Sequence, residues 1–311
     1  MSLGLCCQWI EPRTKRNGDI IHENVVGERN LQLGRFRGGK YSQQEISAVY
    51  HNNVDQHLKL VEKLVANNIR VFRMSSNMFP LWEFNRELAE NDEILLKKLK
   101  KLGRSFVDNG IRVTCHPGQF CIINSNEDRV IRNAIVELEY HAWMFDRMGL
   151  KQSPYYAINI HGGKRGNITK LIDSINNRLP HNVRSRLTLE NDERCFSVKQ
   201  LKEVFLETGV PIVFDSHHFV FNQDGMSMES AFWLSHDTWL ANDEKPLQHI
   251  SNTEPGNENG SFTERRKHSW AIHYVPDVQL KALQDDRIDL DVEAKGKNIS
   301  LLKMRKDFGV F

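Results

Sequence analysis

The sequence predicts an α/β protein built as a single (β/α)8 barrel over residues 1–311. Three observations carry that expectation. Short apolar segments alternate with helix-length amphipathic segments along the chain. There are eight strand candidates, the number a closed parallel barrel needs. Most of them end abruptly in histidine or a carboxylate, and the clearest is Pro211-Ile212-Val213-Phe214, which runs into Asp215-Ser216-His217-His218. A parallel barrel carries its chemistry on the rim at the C-terminal ends of its strands.

Leu3-Gly-Leu-Cys-Cys-Gln-Trp9 reads as the first strand. A polar stretch, 11–41, follows as a long loop holding Arg13, Lys15, Arg16, Arg35, Arg37 and Lys40; connections of that length are functional or disordered. Apolar spacing at Val54, Leu58, Val61 and Leu64 predicts a helix over 42–67, and Ile69 to Met74 is the second strand, with Arg73 and Ser75-Ser76-Asn77 at its exit. Leu95, Leu99, Leu102 and Phe106 predict a helix over 92–108, capped by Asn91, whose Lys97, Lys98, Lys100, Lys101 and Arg104 read as a solvated face. Ile111 to Cys115 is the third strand, leading to His116-Pro-Gly-Gln-Phe120; a helix over 128–150 precedes the fourth, Tyr156 to Ile160, which ends in His161-Gly-Gly-Lys164-Arg165-Gly. Leu187 to Leu189 ends in Glu190-Asn-Asp-Glu193, a Ser197-capped helix leads to strand 211–214, and a further helix covers 227–240. Leu247 to Ser251 is the seventh strand, followed by a polar loop closing in Arg265-Arg266-Lys267-His268; Ile288 to Val292 is the eighth, ending in Glu293-Ala-Lys-Gly-Lys297.

Composition sets weaker bounds. The 311 residues are 40% hydrophobic and 26% charged, as in an ordinary globular protein, and a net charge of +2 makes no case for an anionic partner. Cys6, Cys7, Cys115, Cys121 and Cys195 are scattered, with no CxxC, which argues against a disulfide framework or a structural zinc cage. No apolar run reaches transmembrane length and no signal-peptide core opens the chain, so a cytoplasmic protein without a membrane partner is expected.

The strand exits present His116, His161, Glu190, Asp215, His218, His249, His268 and Glu293. Singly, each reads more simply as a hydrogen-bonding loop or core residue; jointly, five imidazoles and three carboxylates on one rim form a ligand set. Imidazole with carboxylate suits zinc, manganese or iron, and eight ligands suit two or three divalent ions sharing carboxylates, an arrangement fitted to phosphodiester hydrolysis. Asp215 and His218, three residues apart on a tight exit loop, can address one ion, whereas His217 faces elsewhere. His22, His51, His57, His141, His181, His236 and His273 fall in loops or on helices and read as structural or exposed.

The chain resembles the UV damage endonuclease family. The resemblance rests on His116-Pro-Gly-Gln119, Leu189-Glu-Asn-Asp-Glu193, Asp215-x-x-His218, His249-Ile-Ser, Val292-Glu-Ala-Lys-Gly-Lys297, Leu3-Gly4 and Phe72-Arg-Met-Ser-Ser-Asn-Met-Phe-Pro80, and covers about residues 3 to 300. It implies a TIM barrel of the xylose-isomerase-like kind, a cluster of divalent ions with manganese expected, and nicking of damaged duplex DNA immediately 5′ of UV photoproducts or abasic sites. Carried over residue by residue, it implies that the eight rim residues are metal ligands, with Glu190, Asp215, Glu293 and His249 catalytic. It implies that Gln119, with Phe120 beside it, probes the lesion. Some positions depart from the family pattern: Phe120 and Leu5 stand where tyrosine is usual, the His161 loop is one residue shorter, and Leu247 replaces a lysine that can be carboxylated. Lys245 lies two residues away along the strand and is not expected to substitute, so loss or loosening of one ion is expected.

The function expected is therefore that of a metal-dependent DNA repair endonuclease, acting as a monomer, with Arg13, Lys15, Arg16, Lys164, Arg165, Arg265, Arg266 and Lys267 on DNA phosphates. Two alternatives are a sugar isomerase on the same barrel and a lesion-binding protein that has lost catalysis.

Overall fold

The structure, a computed structural model, describes residues 2–118 and 120–310. The chain opens with β1 (Ser2–Cys6), then departs from the barrel into an antiparallel hairpin, β2 (Ile10–Thr14) with β3 (Ile20–Asn24). The barrel resumes with β4 (Val71–Met74), β5 (Arg112–Cys115), β6 (Ile158–His161), β7 (Leu187–Glu190), β8 (Ile212–Asp215), β9 (Leu247–Ile250) and β10 (Asp289–Val292). These eight parallel strands close in sequence order, with β1 joining β4 on one side and β10 on the other.

Helices take the long crossovers that parallel pairing requires. Helix Gln43–Ala66 starts at Ser42, whose side chain and that of Glu45 each satisfy the other's backbone N–H, and Ser197 with Gln200 does the same for helix Val198–Thr208. Helix Glu93–Asp108 buries Leu95, Leu99, Leu102 and Phe106 on one stripe, while Lys97, Lys100, Lys101 and Arg104 remain exposed. Its cap is Asp92, not Asn91: the Asp92 carboxylate accepts from the Leu95 N–H at 2.9 Å. A carboxylate at a helix N-terminus also meets the positive end of the helix dipole, which an amide does less well.

Three further expectations need correction. The stretch 11–41 is not an open loop: besides the hairpin it holds a short helix, Leu33–Arg37. The hairpin turns at Asn17-Gly18, where Gly18 has φ +87°, and Arg13 on one strand bonds Glu23 on the other at 2.9 Å. Tyr156 does not start the fourth strand; it ends a 3-10 turn, Pro154–Tyr156, and pairing begins at Ile158. Asp215 does not lead into a loop but caps helix Ser216–Phe221, its Oδ1 accepting from the His218 N–H at 2.7 Å. Helices that the sequence reading left unassigned, among them Ile168–Asp173, Asp277–Gln284 and Lys297–Phe308, complete the outer layer.

Candidate metal centre

Strand register brings the rim together. In β6 and β7 His161 lies opposite Glu190, in β8 and β9 Asp215 lies opposite His249, and in β9 and β10 His249 lies opposite Asp291. His116 follows β5 directly and Glu293 follows β10, so both project from the same end. His268 enters differently, from a lone bridge between Thr253 and His268 that folds the β9–β10 connection back over the rim.

Glu190 is the hub. Its carboxylate lies 3.1 Å from His116 Nε2, 3.2 Å from His249 Nδ1 and 3.4 Å from His218 Nδ1. Three groups of potential ligand atoms, each within 4.8 Å, all contain it: His116, His161 and Glu190; Glu190, Asp215 and His218; Glu190, His249 and Glu293. His268 Nδ1 stands 3.7 Å from Glu293 Oε2 at the edge of the third group. The eight residues expected on the rim therefore converge. His217 does not join them; its ring packs against Phe221 and stands 5.8 Å from that of His268.

Several of these atoms are close to one another without being satisfied. Asp215 Oδ2, His161 Nδ1 and both ring nitrogens of His249 are buried and make no hydrogen bond. His249 Nδ1 is 3.2 Å from both Glu190 and Glu293, yet misaligned for bonding to either. Buried polar atoms without partners are costly. A divalent ion accepts lone pairs from oxygen and imidazole nitrogen in directions that a hydrogen bond does not need, so this donor set fits a metal centre.

The protein's own charges balance only partly. Burial alone would push the Glu190 carboxyl up, but His249, His161 and the bond from His116 hold it well below the usual carboxylate range. Burial likewise opposes ionisation of Glu293, and the Arg73 guanidinium, which bonds it directly, overcomes that. His218 would be pushed down by burial, but the carboxylates of Asp215, Glu190 and Glu193 raise it to about 9.

Sequence reasoning left four residues of the site without a role. Arg73 was noted at a strand exit but not connected to Glu293. Glu193 pairs with Arg266 and stands 3.9 Å from His218. Asn159 donates to Glu190 at 2.6 Å, and its signal was a lone amide within the apolar run Ala157-Ile-Asn-Ile160. Asp291, under His249, is one of two aspartates in the otherwise apolar run Ile288-Asp-Leu-Asp-Val292. Lys245 is committed far from the rim, 2.9 Å from Asp286 and 3.0 Å from Asp289. Leu247 is fully buried among Val71, Ala157, Val213 and Trp239.

Around the rim, Lys164, Arg165 and Lys267 are exposed, as are Lys15 and Arg16 at the hairpin turn. Arg13 is exposed although paired with Glu23. Arg265 lies over the Phe221 ring, and Arg266, besides its pair with Glu193, lies over Phe262. Phe120 is 78% exposed; Gln119 lies outside the described residues. The turn before it is held by the Gly118 N–H donating to Glu137 at 2.8 Å.

Known proteins share this architecture to different degrees. Endonuclease IV from Thermus thermophilus and an E. coli 3-keto-D-glucoside 4-epimerase superpose with TM-scores of 0.55 and 0.53 at 11% and 14% identity, which establishes a common barrel and nothing more. SacUVDE is nearer, with 26% identity, a TM-score of 0.79 and full coverage of both chains. The UV DNA damage endonuclease of Nostoc sp. is 36% identical over 294 residues, 92% of this chain and 87% of its own. That of Deinococcus radiodurans is 30% identical over 316 residues, 97% of this chain and 94% of its own. The model of the family described as UV-endonuclease UvdE matches residues 19–311, and the chain belongs to that family.

Proposed function

We propose that this protein is a divalent-metal-dependent endonuclease that hydrolyses the phosphodiester 5′ of a lesion in duplex DNA, leaving a 3′-hydroxyl and a 5′-phosphate. The observation that carries the reading is the set of three overlapping ligand groups joined by Glu190, with buried donor atoms that no protein group satisfies. Bound ions would lower the pKa of water towards neutrality and neutralise the leaving oxygen. The eight rim residues would hold them, manganese being compatible with the mixed imidazole and carboxylate donors. Leu247 offers no oxygen, so Glu190, Asp215 and Glu293 are the carboxylates left to bridge, and a two-ion centre is expected.

The chain's other groups act by position and charge. Arg73 lies beside Glu293 and adds a fixed cation where phosphate charge must be accommodated. Asn159 and the Asn191 carbonyl orient Glu190 and His218 through bonds of 2.6 and 3.0 Å. The exposed lysines and arginines around the rim contact phosphates and set affinity, not lesion choice. Gln119 and Phe120 enter the gap left by extruded bases; damaged bases stack poorly, so extruding them costs less.

The test is a nicking assay on duplexes carrying an abasic site or a pyrimidine dimer. Activity disappears in chelator and returns with Mn²⁺, and Gln119→Ala lowers the ratio of damaged to intact binding. Full nicking in chelator would overturn the metal reading; an unchanged ratio would make the turn structural. Turnover of an aldose without nicking would instead select the isomerase alternative.

A further inference from the structure

We propose that Asp291 is a positioning residue for the metal centre: it holds the Nε2–H of His249 and so presents the Nδ1 lone pair of that ring to the ion between Glu190 and Glu293. The inference rests on the metal reading above and assigns a role to a buried carboxylate that this reading does not use.

Asp291 is fully buried inside the barrel, opposite His249 in the β9–β10 register. Its Oδ2 stands 3.6 Å from His249 Nε2 and 3.5 Å from the Thr114 hydroxyl, which reaches it from β5. Its Oδ1 has no partner. Room for this side chain comes from Gly4 on β1, where a β-carbon would collide with Asp291 Oδ1. A carboxylate buried this way is costly to the fold unless it serves another group.

The imidazole has only two nitrogens, and they face opposite neighbours. Nδ1 is 3.2 Å from Glu190 and 3.2 Å from Glu293, on the side where those two carboxylates converge. Nε2 faces Asp291. A neutral imidazole that gives Nδ1 to an ion must keep its proton on Nε2, and such a ring binds best when that N–H meets a carboxylate, which fixes both tautomer and orientation. Asp291 Oδ2, 3.6 Å from that nitrogen, is placed to be that carboxylate. Moving the ring by a few tenths of an ångström toward Oδ2 brings the pair into ordinary hydrogen-bond range.

The experiment measures Mn²⁺ binding by the electron paramagnetic resonance signal of the free ion, together with the thermal midpoint of the chelated protein. Asp291→Leu should weaken binding by roughly 10- to 100-fold, and Asp291→Asn by less, because an amide oxygen still accepts from Nε2–H. The chelated midpoint should hold or rise in both variants, since a buried, half-satisfied carboxylate has been removed. In a His249→Ala background, Asp291→Leu should have no further effect on binding. If Asp291→Leu does not fold, the Asp291→Asn affinity decides alone. Unchanged affinity, or an equal loss with and without His249, overturns this role and leaves the metal reading standing. Failure of the unaltered protein to bind Mn²⁺ overturns both.

Discussion

The barrel carries a buried charge network at each end, and the two are built on opposite principles. At the end where the strands begin, Arg112 donates to the carbonyl oxygens of Tyr155 and Lys245 at 2.7 and 2.9 Å and to Asp289 at 3.0 Å. The rings of Tyr155 and Trp239 cover the guanidinium at 4.6 and 5.1 Å, and Lys245 closes the network on Asp289 and Asp286. Two cations there meet two anions. At the end where the strands finish, Glu190, Asp215, Glu293 and Asp291 gather around histidines; His116 bonds Glu190, but both ring nitrogens of His249, Nδ1 of His161 and Oδ2 of Asp215 make no hydrogen bond. The first network pairs its charges within the protein, leaving Arg112 Nη2 without a bond; the second gathers several carboxylate and imidazole atoms that no protein group satisfies. On the proposed reading, buried charge is structural at one end, where removing a partner costs stability, and functional at the other, where it costs binding and chemistry.

Exchanging one group at each end tests that contrast. The largest expected effect is that of Glu190→Gln at the rim. Because all three ligand groups share Glu190, nicking should fall by about 100- to 1,000-fold, the scale set by loss of a preorganised electrostatic group at a reacting centre. Bound Mn²⁺ should fall with it while the far-ultraviolet circular dichroism of the barrel is retained. Retained metal and activity would mean that the ligand groups are not functional.

Arg112→Met tests the other end. It leaves Asp289 with Lys245 alone and should cost about 3–5 kcal/mol of stability, as for other broken buried pairs. Chemical denaturation measures this loss, and Mn²⁺ affinity per folded molecule should stay at the level of the unaltered protein. A drop in affinity larger than the unfolded fraction accounts for would mean that the two ends are coupled.

A smaller effect separates the ends by pH. The folded His218 pKa, about 9, lies above the ordinary value of 6.5. A raised folded pKa means that the folded state binds the proton more tightly, so the contribution is fully present below about pH 6.5 and is lost as pH rises through about 9. In chelator, the stability difference between the unaltered protein and His218→Asn should shrink across that window. Saturating Mn²⁺ should flatten the trend, because the ion supplies the positive charge that the proton supplied. Burial would lower the Lys245 pKa, but Asp289 and Asp286 raise it above the usual lysine value, so the network at the other end should not follow this trend. A difference for His218→Asn that grows with pH would contradict the sign.

Much of the barrel was legible because its signals are local. Strand Ile212–Asp215 and helix Glu93–Asp108 are written in consecutive residues, by apolar runs and by apolar spacing, and the polar residue closing each strand points to the rim. The hairpin at 10–24 was missed although Asn17-Gly18 is a strong turn signal, because its strands show no regular alternation of apolar and polar residues and bury little. The loop expected after Asp215 became a helix because the same carboxylate that faces the rim can also cap it, a choice that residue type alone leaves open.

By itself, the sequence determined which residue types stand at each strand end, and hence a mixed imidazole and carboxylate rim. Tertiary structure decided which of them meet. Arg73 lies 220 positions from Glu293, Arg112 lies 177 from Asp289, and Glu190 meets potential ligands from β6, β8 and β9 and from the exits of β5, β8 and β10. Such pairs depend on the register of neighbouring strands and on barrel closure, which no local pattern encodes. Closure is also what buries the rim, and only in a buried site do unmatched donor atoms become costly enough to favour an ion.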